Sequence, residues 1–232
     1  MSLTGNRQAV ALPDKPAMDM AGVPACHKPI VDIRDGGAIY KNGVLLGLGA
    51  ADYKVGCTDN VAWMDRTGYL YRNADRIGYG VKEYKITFFT GDVVWLDGYK
   101  YLYKNNDRMG SDVKNYDITA LCGDVVWADD SGYLYRNTSR MGSALKEYKV
   151  IARTGDVIWA DNYGYLYRNT SRMGSDVKEY KIAVITGDVA WMEASSILYK
   201  NGNRISVDAR DYSLDRNGKL TWKDSTGALH LD

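Results

Sequence analysis

Six tryptophans stand at Trp63, Trp95, Trp127, Trp159, Trp191 and Trp222, with gaps of 32, 32, 32, 32 and 31 residues. A fixed period of this size marks an array of one supersecondary unit, because each unit buries its apolar face only against its neighbours. The shared core makes one domain the expected organisation of the 232-residue chain.

The unit is clearest from Tyr148 to Gly174. Tyr148-Lys149-Val150 is followed by Thr154-Gly155-Asp156-Val157-Ile158-Trp159, by Gly164-Tyr165-Leu166-Tyr167-Arg168-Asn169 and by Arg172-Met173-Gly174. The units before it, from Tyr116 to Gly142 and from Tyr84 to Gly110, match closely and indicate recent duplication. Val157, Trp159 and Asp161 alternate with Ile158 and Ala160, and Tyr165 and Tyr167 with Leu166 and Arg168. This period of two, rich in Val, Ile, Tyr and Trp, predicts short strands. Thr154-Gly155-Asp156 and Asn162-Tyr163-Gly164 supply Gly and Asn for tight turns. No segment carries a sustained helical period.

Regular antiparallel hairpins point to an all-β propeller, sandwich or solenoid, and the propeller is favoured. Each blade of about 32 residues would hold an inner strand, a Trp strand, a Tyr-Leu-Tyr strand and a short outer strand. Six hairpins carry the tryptophans, and a seventh, Ile30 to Asn42, has Ile33 in the tryptophan's place. Seven blades are therefore expected, with six as the alternative count. The propellers' edges need closing, since an unpaired strand edge invites aggregation. Residues 1–28 read as an extended, proline-containing segment whose stretch Gln8 to Leu12 returns as the outer strand of the last blade; residues 29–232 read as the propeller. A solenoid would instead need polar caps at both ends.

Composition narrows the function. Net charge is +1, from 30 basic and 29 acidic residues, with no concentrated basic stretch. That excludes nucleic acid or an anionic membrane as the main partner. No apolar run approaches the roughly 20 residues that span a bilayer. The chain has 19 Tyr and 6 Trp against 2 Phe, a bias towards apolar bodies with a polar tip. Cys26, Cys57 and Cys122 cannot form a complete disulfide framework; free thiols are the simpler reading, with a Cys26–Cys57 bridge as the alternative, since both precede neighbouring strands at similar offsets. The opening Met1-Ser2-Leu3 has the look of a cloning remnant, so the compartment stays open, with a secreted or cell-surface location favoured.

The string Lys178-Glu179-Tyr180-Lys181-Ile182, Gly187-Asp188-Val189-Ala190-Trp191 and Ile197-Leu198-Tyr199-Lys200 resembles the tectonin-type propeller repeat, and Arg172 to Lys178 resembles that repeat's outer strand and crossover. The likeness covers most of residues 30–232, through a short and loose motif. The family usually has a second Trp on the outer strand, where this chain has Arg or Met. The resemblance implies a lectin-like or pattern-recognising propeller.

Four sets of repeated residues are candidate chemistry. The tryptophans fit blade packing better than sugar stacking. Tyr69, Tyr101, Tyr133 and Tyr165 stand at strand starts beside a turn, with Tyr99 and Tyr163 inside it; they form either a ligand rim or turn packing. Asp92, Asp124, Asp156 and Asp188 follow a turn Gly and bind sugar hydroxyls or cations, or, more simply, accept backbone hydrogen bonds in the turn. Arg108, Arg140 and Arg172, with Arg76 and Arg204, bind an anionic ligand or clasp a carboxylate or carbonyl of the same or next blade. Asn137-Thr138-Ser139 and Asn169-Thr170-Ser171 are sequons that also suit a hairpin. Asp129-Asp130-Ser131-Gly132 is a weak approach to a calcium loop, and no metal or cofactor is expected.

The two histidines, His27 and His230, lie near the chain ends, and no nucleophile elbow, zinc-protease motif or phosphate loop occurs. A catalytic site would have to break the repeat, and residues 43–60 and 202–217 diverge most. The expectation is a monomeric, non-catalytic binding protein. Multivalent glycan recognition is favoured, because near-identical sites gain ~10²–10⁴ in avidity. A protein-interaction scaffold using one rim is the alternative.

Overall fold

The computed structural model describes Cys26 and residues 28–232. Their strands pair into seven separate antiparallel sheets, each made of consecutive strands, and the fold is a seven-bladed β-propeller. Blade 1 holds β1 (Val31–Arg34), β2 (Ala38–Lys41) and β3 (Val44–Gly47). Blade 2 holds β4 (Ala50–Val55), β5 (Val61–Asp65), β6 (Tyr69–Arg72) and β7 (Asp75–Tyr79). Blade 3 holds β8 (Val81–Ile86), β9 (Val93–Asp97), β10 (Leu102–Lys104) and β11 (Asp107–Gly110). Blade 4 holds β12 (Val113–Ile118), β13 (Val125–Asp129), β14 (Leu134–Arg136) and β15 (Ser139–Gly142). Blade 5 holds β16 (Leu145–Val150), β17 (Val157–Asp161), β18 (Leu166–Arg168) and β19 (Ser171–Gly174). Blade 6 holds β20 (Val177–Ile182), β21 (Val189–Glu193), β22 (Leu198–Lys200) and β23 (Asn203–Ser206). Blade 7 holds β24 (Asp211–Leu214), β25 (Leu220–Lys223) and β26 (Leu229–Leu231). First strands of neighbouring blades approach one another, β4 to β8 and β20 to β24, so they form the inner wall.

One asparagine in each of blades 1 to 6 sets the outer hairpin. Asn42, Asn73, Asn105, Asn137, Asn169 and Asn201 have φ between 50° and 54°, the left-handed region that Asn tolerates better than other side chains. In blade 4, Asn137 Oδ1 accepts the Val125 amide at 3.0 Å, and its carbonyl accepts the Trp127 indole N–H at 2.7 Å. Trp127 lies opposite Tyr135, with ring centroids 4.1 Å apart and nearly parallel. One turn residue thus fixes both the register and the indole.

The core lies in the seams between blades. Val94, Leu96 and Leu102 of blade 3 pack against Val113, Tyr116, Val125 and Trp127 of blade 4. The outer strand runs so close to the next indole that only glycine fits: a Cβ at Gly78 would stand 2.7 Å from Trp95 Cζ2. Blade 6 ends in Ser206 at this position, and Trp222 is only half-buried.

The first blade corrects the sequence alignment. Ile30 exchanges hydrogen bonds with Asn42 as Val61 does with Asn73, and Asp32 lies opposite Tyr40 as Trp63 lies opposite Tyr71. Asp32, not Ile33, occupies the tryptophan position. An apolar neighbour one residue away matched the pattern by eye, but the Asn42 hydrogen bonds set the register. Arg34 takes over the packing, 3.8 Å above the Tyr40 ring and 2.7 Å from Asp32.

The terminal blades are also less covered. Ile30 is 77% exposed where Val61, Val93, Val125, Val157 and Val189 are at 0%, and Leu229 is 66% exposed where Leu70, Leu102, Leu134, Leu166 and Leu198 are at 0%. The strand expected from Gln8 to Leu12, and His27, lie outside the described residues. Cys26 and Cys57 form a disulfide with Cα atoms 4.9 Å apart, which ties the start of blade 1 to the first turn of blade 2; Cys122 is free.

Candidate functional site

The residues singled out by the repeat fall at two opposite ends of the strands. Asp92 precedes β9 at one end, and Tyr101 follows the turn at the other. The Asp set therefore never meets the Tyr and Arg set.

At the first end, the aspartates clasp their own hairpin. Asp92 accepts from Asn105 Nδ2 at 3.0 Å, Thr90 Oγ1 at 2.8 Å and Lys104 Nζ at 3.0 Å. Asp156 accepts from Asn169 Nδ2 at 2.8 Å and from the Arg168 fork at 3.0 and 2.6 Å. Asp124 does the same with Asn137 and Arg136, and Asp188 binds Asn201 at 2.7 Å. Burial pushes the Asp92 and Asp156 carboxyls up, but the Asn, Lys or Arg, and Thr donors outweigh it and hold both below the usual range. These are side-chain clasps rather than the backbone-capping turn residues expected from the sequence. They also engage the amide nitrogens of both sequons.

At the other end, Asp65, Asp97, Asp129 and Asp161 perform the backbone capping, each Oδ1 accepting the amide of Tyr69, Tyr101, Tyr133 or Tyr165 at 2.9–3.0 Å. Asp129 is thereby committed to its turn, Asp130 pairs with Lys100 at 2.6 Å, and no metal-binding group exists among the described residues. The four half-buried tyrosines each meet an arginine. The guanidinium carbon of Arg108 is 3.9 Å from the Tyr101 centroid, and the Arg76–Tyr69, Arg140–Tyr133 and Arg172–Tyr165 pairs span 5.1, 5.1 and 5.2 Å. The expected carboxylate or carbonyl clasp is thus a cation–π pair. Arg204 has Ile197 where the tyrosine would stand. Tyr99 and Tyr163, inside the turns of blades 3 and 5, are 84% and 74% exposed.

The inner wall carries a second repeated contact. Lys54 donates to the Tyr84 carbonyl at 3.0 Å and lies 4.0 Å from that ring's centroid; Lys85 does the same to Tyr116 at 2.9 and 4.7 Å. Lys149 lies 5.1 Å from the Tyr180 centroid, and Lys181 donates to the Tyr212 carbonyl, 4.3 Å from its ring. Each lysine reaches the next blade's tyrosine. Tyr84, Tyr116, Tyr180 and Tyr212 are buried, and burial pushes their phenols, like that of Tyr148, above the usual range.

Two seams depart from this contact among the described residues: no ammonium lies over Tyr53 of blade 2, which is 37% exposed, and none lies over Tyr148, at the seam between blades 4 and 5. At the seam between blades 4 and 5, Asp117 stands where the four seams above have Lys, and Asn115 where Glu83, Glu147 and Glu179 stand. Tyr148 is half-buried where Tyr84, Tyr116, Tyr180 and Tyr212 are buried. A cavity of about 600 Å³ opens here, bordered by Asn115, Asp117, Asp130, Glu147 and Tyr148. A second, of about 420 Å³, shares Asp117, Tyr148, Lys149 and Val150 with it. Asp117 Oδ1 accepts from Lys85 at 3.2 Å and from the Ile118 amide at 2.9 Å, and no described group donates to Oδ2.

The sequence matches no protein-family model and no curated protein. Among solved structures it is similar to the WD40 β-propeller domain of Doa1 (11% identity, TM-score 0.34, covering 88% of each chain). It is also similar to the C-terminal WD40 domain of Sif2 (13%, TM-score 0.34, 88% of this chain and 77% of that one) and to Kluyveromyces lactis Hsv2 (11%, TM-score 0.37, 78% and 73%). At these values the likeness adds nothing to the strand pairing, which carries the blade assignment by itself.

His230 tests the enzymatic reading. Its Nε2 lies 2.8 Å from Asp224 Oδ2, and its ring stacks on Trp222. His230 faces Trp222 as Tyr199 faces Trp191, and Asp224 caps Ala228 as Asp161 caps Tyr165. The pair is the last blade's version of the Tyr–Asp contact. The 4/5 cavity was missed in the sequence, although aligning Lys54, Lys85, Asp117, Lys149 and Lys181 exposes the one change of sign.

Proposed function

We propose that this propeller is a non-catalytic, monomeric binding module that docks one protein partner on the rim of the second-to-third-strand turns, centred on the seam between blades 4 and 5. The observation that carries the reading is the cavity beside Asp117 and Tyr148, where a carboxylate replaces the wall lysine, flanked on the same rim by exposed Tyr99 and Tyr163. Tyrosines beside a concave polar site are what protein interfaces favour. The repeated Asp, Asn and Arg groups are spent within the chain, which argues against many equivalent ligand sites. The Cys26–Cys57 bridge fits an oxidising, extracellular setting.

Glycan recognition, implied by the tectonin-type resemblance, is the second reading; the Arg-covered tyrosines of blades 2 to 5 are its supporting feature. Stoichiometry separates the two. Partner capture with wild-type protein and with a Tyr99→Ser/Tyr163→Ser variant is expected to give one partner per chain, lost in the variant and indifferent to simple sugars. A glycan-array hit that titrates at several equivalents per chain overturns the scaffold reading.

A further inference from the structure

We propose that the seam between blades 4 and 5 receives a lysine side chain from the partner, which occupies the place that Lys54, Lys85, Lys149 and Lys181 hold at four other seams. The inference rests on the one-partner rim reading above and deepens it.

The argument is one of completion. At four seams a primary ammonium lies 4.0–5.1 Å from the next blade's tyrosine ring, and at three of them it also donates to that tyrosine's carbonyl. An ammonium over an aromatic face is attracted by the ring quadrupole, more strongly when desolvated. Tyr148 presents the same ring and backbone without the lysine, and space opens beside it. In place of the lysine stands a carboxylate with one oxygen that no described group engages. A chain lysine is absent and an anion is present, so the complement is a cation.

Lysine fits better than arginine. The acceptors here, one carbonyl and one carboxylate oxygen beside a ring, suit a point charge with rotatable donors, whereas a guanidinium prefers two parallel acceptors. The cavity's own basic residues do not fill the place. Lys85 is held by the Tyr116 carbonyl and Asp117, and Lys149 lies over Tyr180. Lys114 and Lys146 recur as Lys82 and Lys178, so they are not particular to this seam.

The test is an NMR titration of protein labelled in the tyrosine rings, with Tyr148→Phe used to assign the Tyr148 signal. The probe is Nα-acetyl-lysine N-methylamide, and the controls are its norleucine and Nε-acetyl-lysine counterparts. The expected result is a saturable shift of Tyr148 with the lysine probe alone. Asp117→Asn should weaken it at least fivefold. Asp117→Lys supplies the ammonium from within, as those four seams do, and should abolish the shift while the protein stays folded. Equal shifts with lysine and norleucine, no shift at all, or full binding by Asp117→Lys overturns the proposal. If the partner of the rim test is lost with Tyr99→Ser/Tyr163→Ser but still binds Asp117→Lys at full strength, the lysine inference falls and the rim reading stands.

Discussion

Between blades 3 and 4, Lys85 reaches across to the carbonyl and ring of Tyr116, and the phenol is buried. One blade further on, Asp117 takes the lysine's place, Tyr148 is half-buried and a cavity opens. The apolar layers beneath are alike: Val94, Leu96 and Leu102 meet Trp127 in the first seam, and Val126, Ala128 and Leu134 meet Trp159 in the second. In a duplicated array the core is held to one pattern by packing against two neighbours, and the inner wall is free to vary. A unique site therefore arises from a change of charge at a single wall position, with no loss of the framework.

If the two seams differ only at the wall, equivalent core truncations must cost the same. Leu102→Ala and Leu134→Ala should each destabilise by about 2–5 kcal/mol, within about 1 kcal/mol of each other, in urea unfolding. A much smaller loss at Leu134 would mean that the cavity reaches the core and would break the comparison.

The disulfide offers a contrast with both seams. Reduction of Cys26–Cys57 should lower stability by about 2–4 kcal/mol, read as a shift in the urea midpoint, without altering Tyr148 signals. Next in size is the wall itself. Lys85→Met should cost on the order of 1 kcal/mol, through one hydrogen bond and one partly exposed cation–π contact, while Asp117→Lys should add a similar amount. Opposite signs for these two substitutions sharpen the comparison; a destabilised Asp117→Lys would break it.

Acid should act on both seams alike. Asp92 and Asp156 have carboxyls held below the unfolded value of about 3.9, so their clasps contribute stability above that pH and lose it as pH falls through the folded values. Urea midpoints should fall below about pH 4, less steeply in Asp156→Asn. The smallest expected effect on folding is at the rim: Tyr163→Ser should change stability by less than about 0.5 kcal/mol, so that any loss of partner binding reports the surface alone.

Much of the architecture was readable because it repeats. The tryptophan period counted six hairpins, alternation marked the strands, and Gly and Asn marked tight turns. What resisted reading depended on register or on reach between strands. Asp32 was displaced by Ile33 because apolar pattern says nothing of which amide meets Asn42. The arginines were expected on carboxylates, yet the bulge before each outer Met sets Arg108, Arg140 and Arg172 over tyrosines instead.

The sequence by itself determined the all-β class and the blade as a unit, because periodic burial and turn chemistry are local and are written in every copy; it favoured seven blades over six, and the strand pairing decided for seven. Only the tertiary structure decided that the Asp and Tyr sets lie at opposite ends of the strands, that the arginines cover the tyrosines, and that Asp117 stands beside a wall tyrosine, Tyr148, that no lysine covers. The Arg–Tyr contacts depend on strand register within a blade, and the wall contact joins residues about 30 positions apart through the stacking of blades; no local pattern records which neighbour a side chain will reach.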